Sequence, residues 1–423
     1  MEHNRTVCDP SDLYWMWLCS IKGLYWRQQK ALLYFFEKPE NIFHASWSEF
    51  QLFRRAGLSW IEQVEKAKTD TYLKQQIDYL KKKELFFCSR ENTNFPQKLR
   101  EIGDCPNGLF FRGSLPPPAM RLAGVVGARV CSTYGKMMAR TLSAVLTQEG
   151  FGVVSGMAAG IDTSAGYGAL EAGNLSWAVM GCGADVCYPR ENAGLYNQLI
   201  SKGGILSEFP PHTEPLKHHF PLRNRIISGL CEFVIVVEAR ARSGSLITAD
   251  YALEQGRDVW VVPGRCDDPL SCGCNTLISQ GAEIIVNSTD FRTKLRERYS
   301  QTQETILSSC PTSRKELQTS YPKPQNELRA SVPKTQKKLQ NSHLQPEEPV
   351  FDDPVTRSVF HILGSTPKTT GQILQDLDDK GDLQDIQIEE RAISIALTKL
   401  ILNGYADEIG KGAYILSSFK DAG

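Results

Sequence analysis

No stretch of this sequence holds the roughly 18 consecutive apolar residues that a membrane-crossing helix requires. Its first residues, MEHNRTVCDPSD, lack the basic-then-apolar pattern of a secretory leader. Both absences predict a cytoplasmic protein with no membrane span. None of the twelve cysteines forms a CxxC pair. That removes the commonest redox and zinc signatures and leaves free, reduced thiols as the expectation. Net charge is missing too, because 48 Lys and Arg balance 48 Asp and Glu. A nucleic-acid site therefore cannot rest on bulk charge and must be a local patch.

What is present is ordinary for a globular protein: 41% apolar and 23% charged residues over a length of 423, room for two to four domains. The charge is unevenly spread. Residues 1–120 carry 17 basic against 14 acidic side chains, and residues 121–290 carry 13 against 16. Residues 291–350 carry 11 against 6, and residues 351–423 carry 7 against 12.

Residues 1–84 read as a small helical domain of the SAM-like or helix-hairpin-helix kind. LYWMWLCSI, QQKALLYFF, SWSEFQLF and WIEQVEKA have helical spacing and are separated at Gly23, Ser and Gly57. Such hairpin glycines can hold a phosphate backbone, but only Lys22 and Arg27 flank Gly23, so a structural or protein-contact module is an equal reading. Lys81–Lys83 reads as a solvated helix end.

Residues 85–289 read as an α/β domain. Leu85–Ser89 and Leu109–Phe111 are strands. From Leu122 onward short, continuously apolar strands alternate with helices, which predicts a parallel, doubly wound sheet buried on both faces. Ligands of such sheets bind beyond the carboxyl ends of the strands. Those ends carry small residues, and the loops that follow add Arg129, Arg190, Lys217, Arg223 and Arg225. Backbone donors and cations on one face suit a polyanion or a nucleotide phosphate. The stretch Val153–Leu170, VVSGMAAGIDTSAGYGAL, reads as a strand, a Gly-rich phosphate-binding turn, an Asp162 N-cap and a helix. The alternative is a glycine turn kept for close packing. Arg225 is read equally well as a core partner of Glu208 or Glu238.

The runs VGARVCSTYG, SGMAAGID, YPRENAGL, SEFPPHTEPLKHHFPLRNRIISGL, VVEARARSGSLITADYALEQGRDVWVVPG and NTLISQGA resemble the DNA-processing protein A family, DprA, also called Smf. The likeness covers about residues 95–287, with FPLRNR and SGSLITA, in that order and spacing, its most specific part. It implies an extended Rossmann-like central domain that binds and protects single-stranded DNA during natural transformation, helps load the recombinase RecA, forms homodimers through that domain and has no assigned catalytic activity or cofactor. By motif position it implies a DNA pocket of Arg129, Ser155, Gly156, Arg190, Asn192 and Lys217. Phe220, Arg223, Asn224 and Arg225 would form the other wall. Ser155-Gly156 would supply backbone donors, and Phe220 would stack on a base.

Two departures stand out. Gly166 occupies a place where such proteins often carry His, so no role of that His is carried over. Cys266, Cys272 and Cys274 fall within nine residues but lack a fourth metal ligand at standard spacing, and reduced thiols are expected.

Residues 290–350, rich in Gln, Ser, Thr, Lys and Pro, read as a flexible linker. Residues 351–423 read as helix, helix, helix and a hairpin, the order of a winged helix. Asp376, Asp378, Asp379, Asp382, Asp385, Glu389 and Glu390 crowd the start of its third helix, so a protein contact is favoured there over DNA. Two competing readings remain open. One is an enzyme acting on nucleoside monophosphates, although Pro263-Gly264-Arg265 and Ser243-Gly244-Ser245 fit no signature of that chemistry. The other is an adaptor working through the acidic C-terminal unit.

Overall fold

The computed structural model describes residues 7–50, 60–173, 175–299, 354–363, 368–380, 390–402, 405–408 and 413–416. The N-terminal helices described in full are α1 (Leu13–Ser20), α2 (Trp26–Phe36), α3 (Pro39–His44), α4 (Ile61–Ala67) and α5 (Asp70–Lys83). Helix α1 is apolar nearly all round and accordingly sits inside, with Trp15 to Cys19 all buried and the Trp17 indole donating to Ala67 O at 2.7 Å. Thr69 caps α5 by accepting from the Tyr72 amide, and exposed Lys81, Lys82 and Lys83 complement the helix dipole at its other end.

The central sheet has nine strands: β1 (Phe86–Ser89), β2 (Gly108–Gly113), β3 (Leu122–Val126), β4 (Gly152–Ser155), β5 (Ser176–Val179), β6 (Gly203–Ser207), β7 (Phe233–Val236), β8 (Asp258–Val261) and β9 (Glu283–Ile284). Their order is β1-β2-β6-β5-β4-β3-β7-β8-β9. The seven strands from β3 onward are parallel, and β1 and β2 extend the β6 edge antiparallel. The expected Rossmann-like α/β core is present. Alternate residues of each strand enter opposite cores. Ala123 and Val125 join Leu142, Leu146 and Ile161 on one face, while Leu122 and Val126 join Ile226, Val234 and Ala249 on the other. The strand order reverses at β3, which pairs with β4 on one side and β7 on the other. In open α/β sheets that reversal leaves a crevice at the strand ends.

The helices of this domain are the single turn α6 (Gln97–Arg100), α7 (Thr133–Gln148), α8 (Ile161–Glu171), α9 (Ala193–Ser201), α10 (His219–Leu230), α11 (Gly244–Glu254), α12 (Cys272–Ser279) and α13 (Ser288–Tyr299). The sequence pattern predicts helices over Arg223–Ser228, Thr248–Gln255 and Thr276–Gln280, and each begins about four residues earlier: α10 at His219, α11 at Gly244 and α12 at Cys272. The segment from Asp290, expected to open the linker, instead continues as helix to Tyr299. There Phe291 and Leu295 are buried under the sheet and Arg296 pairs with Glu149 at 2.8 Å. The remaining linker residues, 300–350, lie outside the described residues, as do residues 51–59, where part of the SWSEFQLF helix and the Gly57 break were expected.

The helical domain is tied to the sheet by buried polar contacts: Asp12 accepts from Ser89 and Asn92, and Asn107 donates to Gln29 at 2.9 Å. After residue 353 come α14 (Pro354–Ile362), α15 (Thr370–Lys380), α16 (Glu390–Leu402) and a small antiparallel sheet of β10 (Lys368–Thr369), β11 (Ala406–Glu408) and β12 (Ala413–Leu416). This unit has its own apolar core around Val359, Ile373, Ile393 and Leu400. The Tyr414 ring meets Tyr34 of α2 edge-on at 6.4 Å.

Candidate functional site

A cleft of about 330 Å³ opens at the reversal point, between the loops that follow β3, β4 and β7 and the start of α10. Five of the ten residues expected at the site line it: Arg129, Lys217, Phe220, Arg223 and Asn224. The half-buried Phe220 ring is the centre of the arrangement. The Arg129 guanidinium lies 5.1 Å from its centroid and that of Arg223 5.9 Å. Arg129 and Lys217 are exposed, and neither makes an ion pair among the described residues. Their charges are thus available to a ligand, while the ring offers a flat apolar face.

The other cations of the FPLRNR run do different work. Arg223 is 4% exposed, and its Nη1 donates to Gly156 O at 2.9 Å and to Val179 O. Its Nε donates to the Asn224 side chain at 3.2 Å. Burial lowers its titration to about 10. It is a strut between β4, β5 and α10 with one edge in the cleft. Asn224 in turn donates to Gly244 O at 3.1 Å and so fixes the start of α11. Arg225 lies outside the cleft. It is 1% exposed, pairs with Glu208 and Asp104, and sits 5.8 Å from the Trp26 ring. Of the partners weighed for it, Glu208 is the one it meets.

The Gly-rich turn after β4 corrects the phosphate-loop expectation. Its anion is internal. Asp162 does not cap α8 but lies in its first turn, and its carboxylate reaches back to accept from the Gly156 amide at 3.1 Å and the Ala158 amide at 3.3 Å. The donors expected for a phosphate are therefore taken. Gly160 makes the turn possible. Its φ of +85° with ψ of −118° is a glycine conformation, and a methyl group there would run into the carbonyls of Ala128 and Arg129. Ser155 is likewise turned inward, its hydroxyl donating to Val125 O at 2.7 Å. A second helix start is filled in the same way, since the buried Glu238 at the end of β7 accepts from the amide and hydroxyl of Ser132, the N-cap of α7.

Asn192 is also outside the cleft. Its amide donates to Met157 O and Thr163 Oγ1, both at 2.8 Å, and so braces the β4 turn from behind. Arg190 does not line the cleft either. It is exposed, in the segment whose Tyr188 ring lies 5.6 Å from Phe220. Gly166 faces the side chain of Leu195 in α9, away from the cleft, and is a packing position. Of the three loop thiols, Cys274 is buried and its Sγ lies 3.8 Å from Val236 O, whereas Cys266 and Cys272 are exposed.

Burial pushes the Asp162 carboxyl up to about 6, against the pull of Arg223 and the two amides. An acid that titrates higher when folded holds its proton more tightly in the folded state. Its contribution to stability is therefore full below the ordinary value of 3.8 and is lost as pH rises through about 6. Asp162→Asn cannot titrate. Between about pH 4 and pH 7.5 the wild type should lose about 2–3 kcal/mol relative to that variant in urea denaturation. A gap that stays constant with pH would show that Asp162 titrates normally.

The sequence reading missed one contributor to the cleft. Ser243, Gly244 and Ser245 line it opposite Phe220. Ser243 caps the eleven-residue α11 by accepting from the Ser245 amide, and Gly244 is exposed. Unlike the β4 turn and the α7 start, this helix start has no carboxylate on it among the described residues. The signal was present as Ser-Gly-Ser directly after an apolar strand. Arg240 and Arg242, exposed in the same loop, add two more cations without ion pairs among the described residues.

Comparison with known proteins gives a consistent picture. Residues 86–296 match the family model described as DNA recombination-mediator protein A. The chain is 45% identical over 196 residues to the DNA processing protein DprA of Streptococcus pneumoniae, covering 46% of this chain and 69% of the relative. It is 43% identical over 214 residues to DprA of Bacillus subtilis, covering 50% and 72%. An X-ray structure of DNA processing protein A from Streptococcus pneumoniae superposes with a TM-score of 0.56 at 36% identity, over 66% of this chain and 96% of that one.

Proposed function

The chain belongs to the DNA recombination-mediator protein A family, and from that premise we propose that its central domain binds single-stranded DNA in the cleft between β3 and β7, in the service of transformation and recombination. The observation that carries this reading is Phe220, a half-buried ring in the cleft with the guanidiniums of Arg129 and Arg223 at 5.1 and 5.9 Å from its centroid and the unpaired Lys217 in the same lining. A base stacks on the ring while Arg129, Lys217 and the start of α11 hold the flanking phosphates. A single strand suits this geometry because its bases are free to turn onto a lone ring, whereas those of a duplex are already stacked and paired.

The role is binding rather than catalysis. Asp162, in the cleft lining, and Glu238, after β7, are bound to the backbone amides of Gly156, Ala158 and Ser132 and are not poised as bases. RecA loading and dimerisation through the central domain follow from the family likeness and belong to this proposal. So does the winged-helix assignment of the C-terminal unit. Its third helix lies near α2 of the helical domain, which supports a protein contact for it. The acidic residues Asp382, Asp385 and Glu389 lie outside the described residues.

Photocrosslinking a short halogenated oligodeoxynucleotide, followed by tryptic mapping, tests the site. Adducts are expected on the peptide His218–Arg223, which contains Phe220. Adducts confined to the C-terminal unit would move the binding site there. Release of free base from nucleoside monophosphates would instead favour the enzyme reading.

A further inference from the structure

We propose that a single strand held in the cleft runs on into a second phosphate-binding groove, formed by the Gly23 hairpin of the helical domain and the loop at His212. The proposal rests on the reading of the cleft given above. The groove, of about 630 Å³, is lined by Lys22, Gly23, Gln63, Lys66, Tyr72 and His212 among others, and by no carboxylate. Lys22 and Lys66 are exposed and make no ion pair among the described residues. A groove that carries two lysines and no carboxylate in its lining suits a polyanion.

Its shape is built in. Gly23 turns the chain between α1 and α2 with φ of +77°, and a methyl group there would come within 3.0 Å of the Gln63 side chain, narrowing the groove. The amides of Lys22 and Gly23 donate to nothing among the described residues and remain free for a phosphate. The opposite wall is held rigidly. The His212 amide donates to both carboxylate oxygens of Asp185, at 3.1 and 3.2 Å. Tyr79 of α5 donates to the same carboxylate at 2.8 Å, and its ring lies tilted against that of His212 with centroids 4.1 Å apart. The helical domain and the His212 loop thus meet as one preorganised surface.

Continuity with the cleft comes from the chain itself. Lys217 lies five positions after His212. Five residues span at most about 18 Å even when fully extended. That is about five nucleotides at the ~3.4 Å spacing of a stacked strand. One strand can therefore engage both surfaces, and only strands long enough to bridge them gain from the second.

Fluorescence anisotropy on the full chain separates the two sites by oligonucleotide length. A probe of about three nucleotides, roughly 10 Å at the ~3.4 Å spacing, is too short to bridge the two surfaces and reports on the cleft alone, and one of about twenty nucleotides reaches both. The charge-reversal variant Lys22→Glu/Lys66→Glu should bind the short probe as the wild type does, which also shows that it is folded. For the long probe its affinity should fall about tenfold or more, and the slope of log K against log salt should drop by about 1.4, or ~0.7 per lost phosphate contact. An unchanged long-probe affinity, or equal losses for both probes, would overturn the second groove while leaving the cleft in place. If the wild type binds neither probe, the cleft reading fails and the groove with it.

Discussion

Replacing Arg223 with alanine is expected to cost about 3–5 kcal/mol of stability, the range found when one member of a buried charge arrangement is removed. The substitution leaves the carbonyls of Gly156 and Val179 without their donor and strips Asp162 of its main favourable charge. It also leaves the Asn224 side chain without the contact that steadies it against Gly244. For a domain of this size the melting temperature should fall by about 10 °C. Arg223→Lys keeps a positive charge near Asp162 but lacks the planar fork that reaches two carbonyls and the Asn224 oxygen at once, so it should recover only part of the loss. Urea denaturation of the three proteins reads the series directly. Near wild-type stability of the alanine variant would return Arg223 to the role the motif alone implies, a direct DNA contact.

That reassignment shows where the sequence was legible and where it was not. The parallel strands were readable because each is short, apolar and followed by a break, and their order of helices and loops announced the Rossmann-like core. The helix starts were harder. Phe220 and Ser243-Gly244-Ser245 look like loop residues by composition, yet they open α10 and α11. Had α10 been extended back to His219, the helical period would have warned that one motif cannot face one ligand. Residues two apart on a helix point to nearly opposite sides. Arg223 accordingly turns under the β4 and β5 ends while Arg225 turns toward Glu208 and Trp26.

The filled anion sites divide the same way. Asp162 acts within its own turn, and an acidic residue in a helix's first turn behind a glycine loop is a local signal that competes with a phosphate. Glu238 reaches Ser132 across 106 residues of sequence, a contact that only the adjacency of β3 and β7 creates. The Lys22 and Lys66 groove was illegible for a similar reason, since its far wall comes from a loop near residue 212.

With the β4 turn and the α7 start occupied internally, the proposed cleft would hold DNA phosphates by the α11 start and its side-chain cations. Arg129→Ala/Lys217→Ala removes two of them without touching a buried contact. Both side chains are exposed and free of ion pairs among the described residues, so the double variant should melt within a degree or two of the wild type. Its DNA affinity should be another matter. Losing two charge-assisted phosphate contacts, at about 1.5–3 kcal/mol each, should weaken binding by a hundredfold or more. Arg129 also loses its place against Phe220, which should loosen the stacked base.

Titration of a labelled oligo(dT) into wild-type and doubly substituted protein over a range of salt concentrations is the most direct measurement of this account. The cleft predicts that the double variant binds more weakly and that its salt slope is shallower by about 1.4, two single-strand phosphates' worth. Equal affinities and parallel slopes for the two proteins would contradict it and place the DNA elsewhere on the molecule.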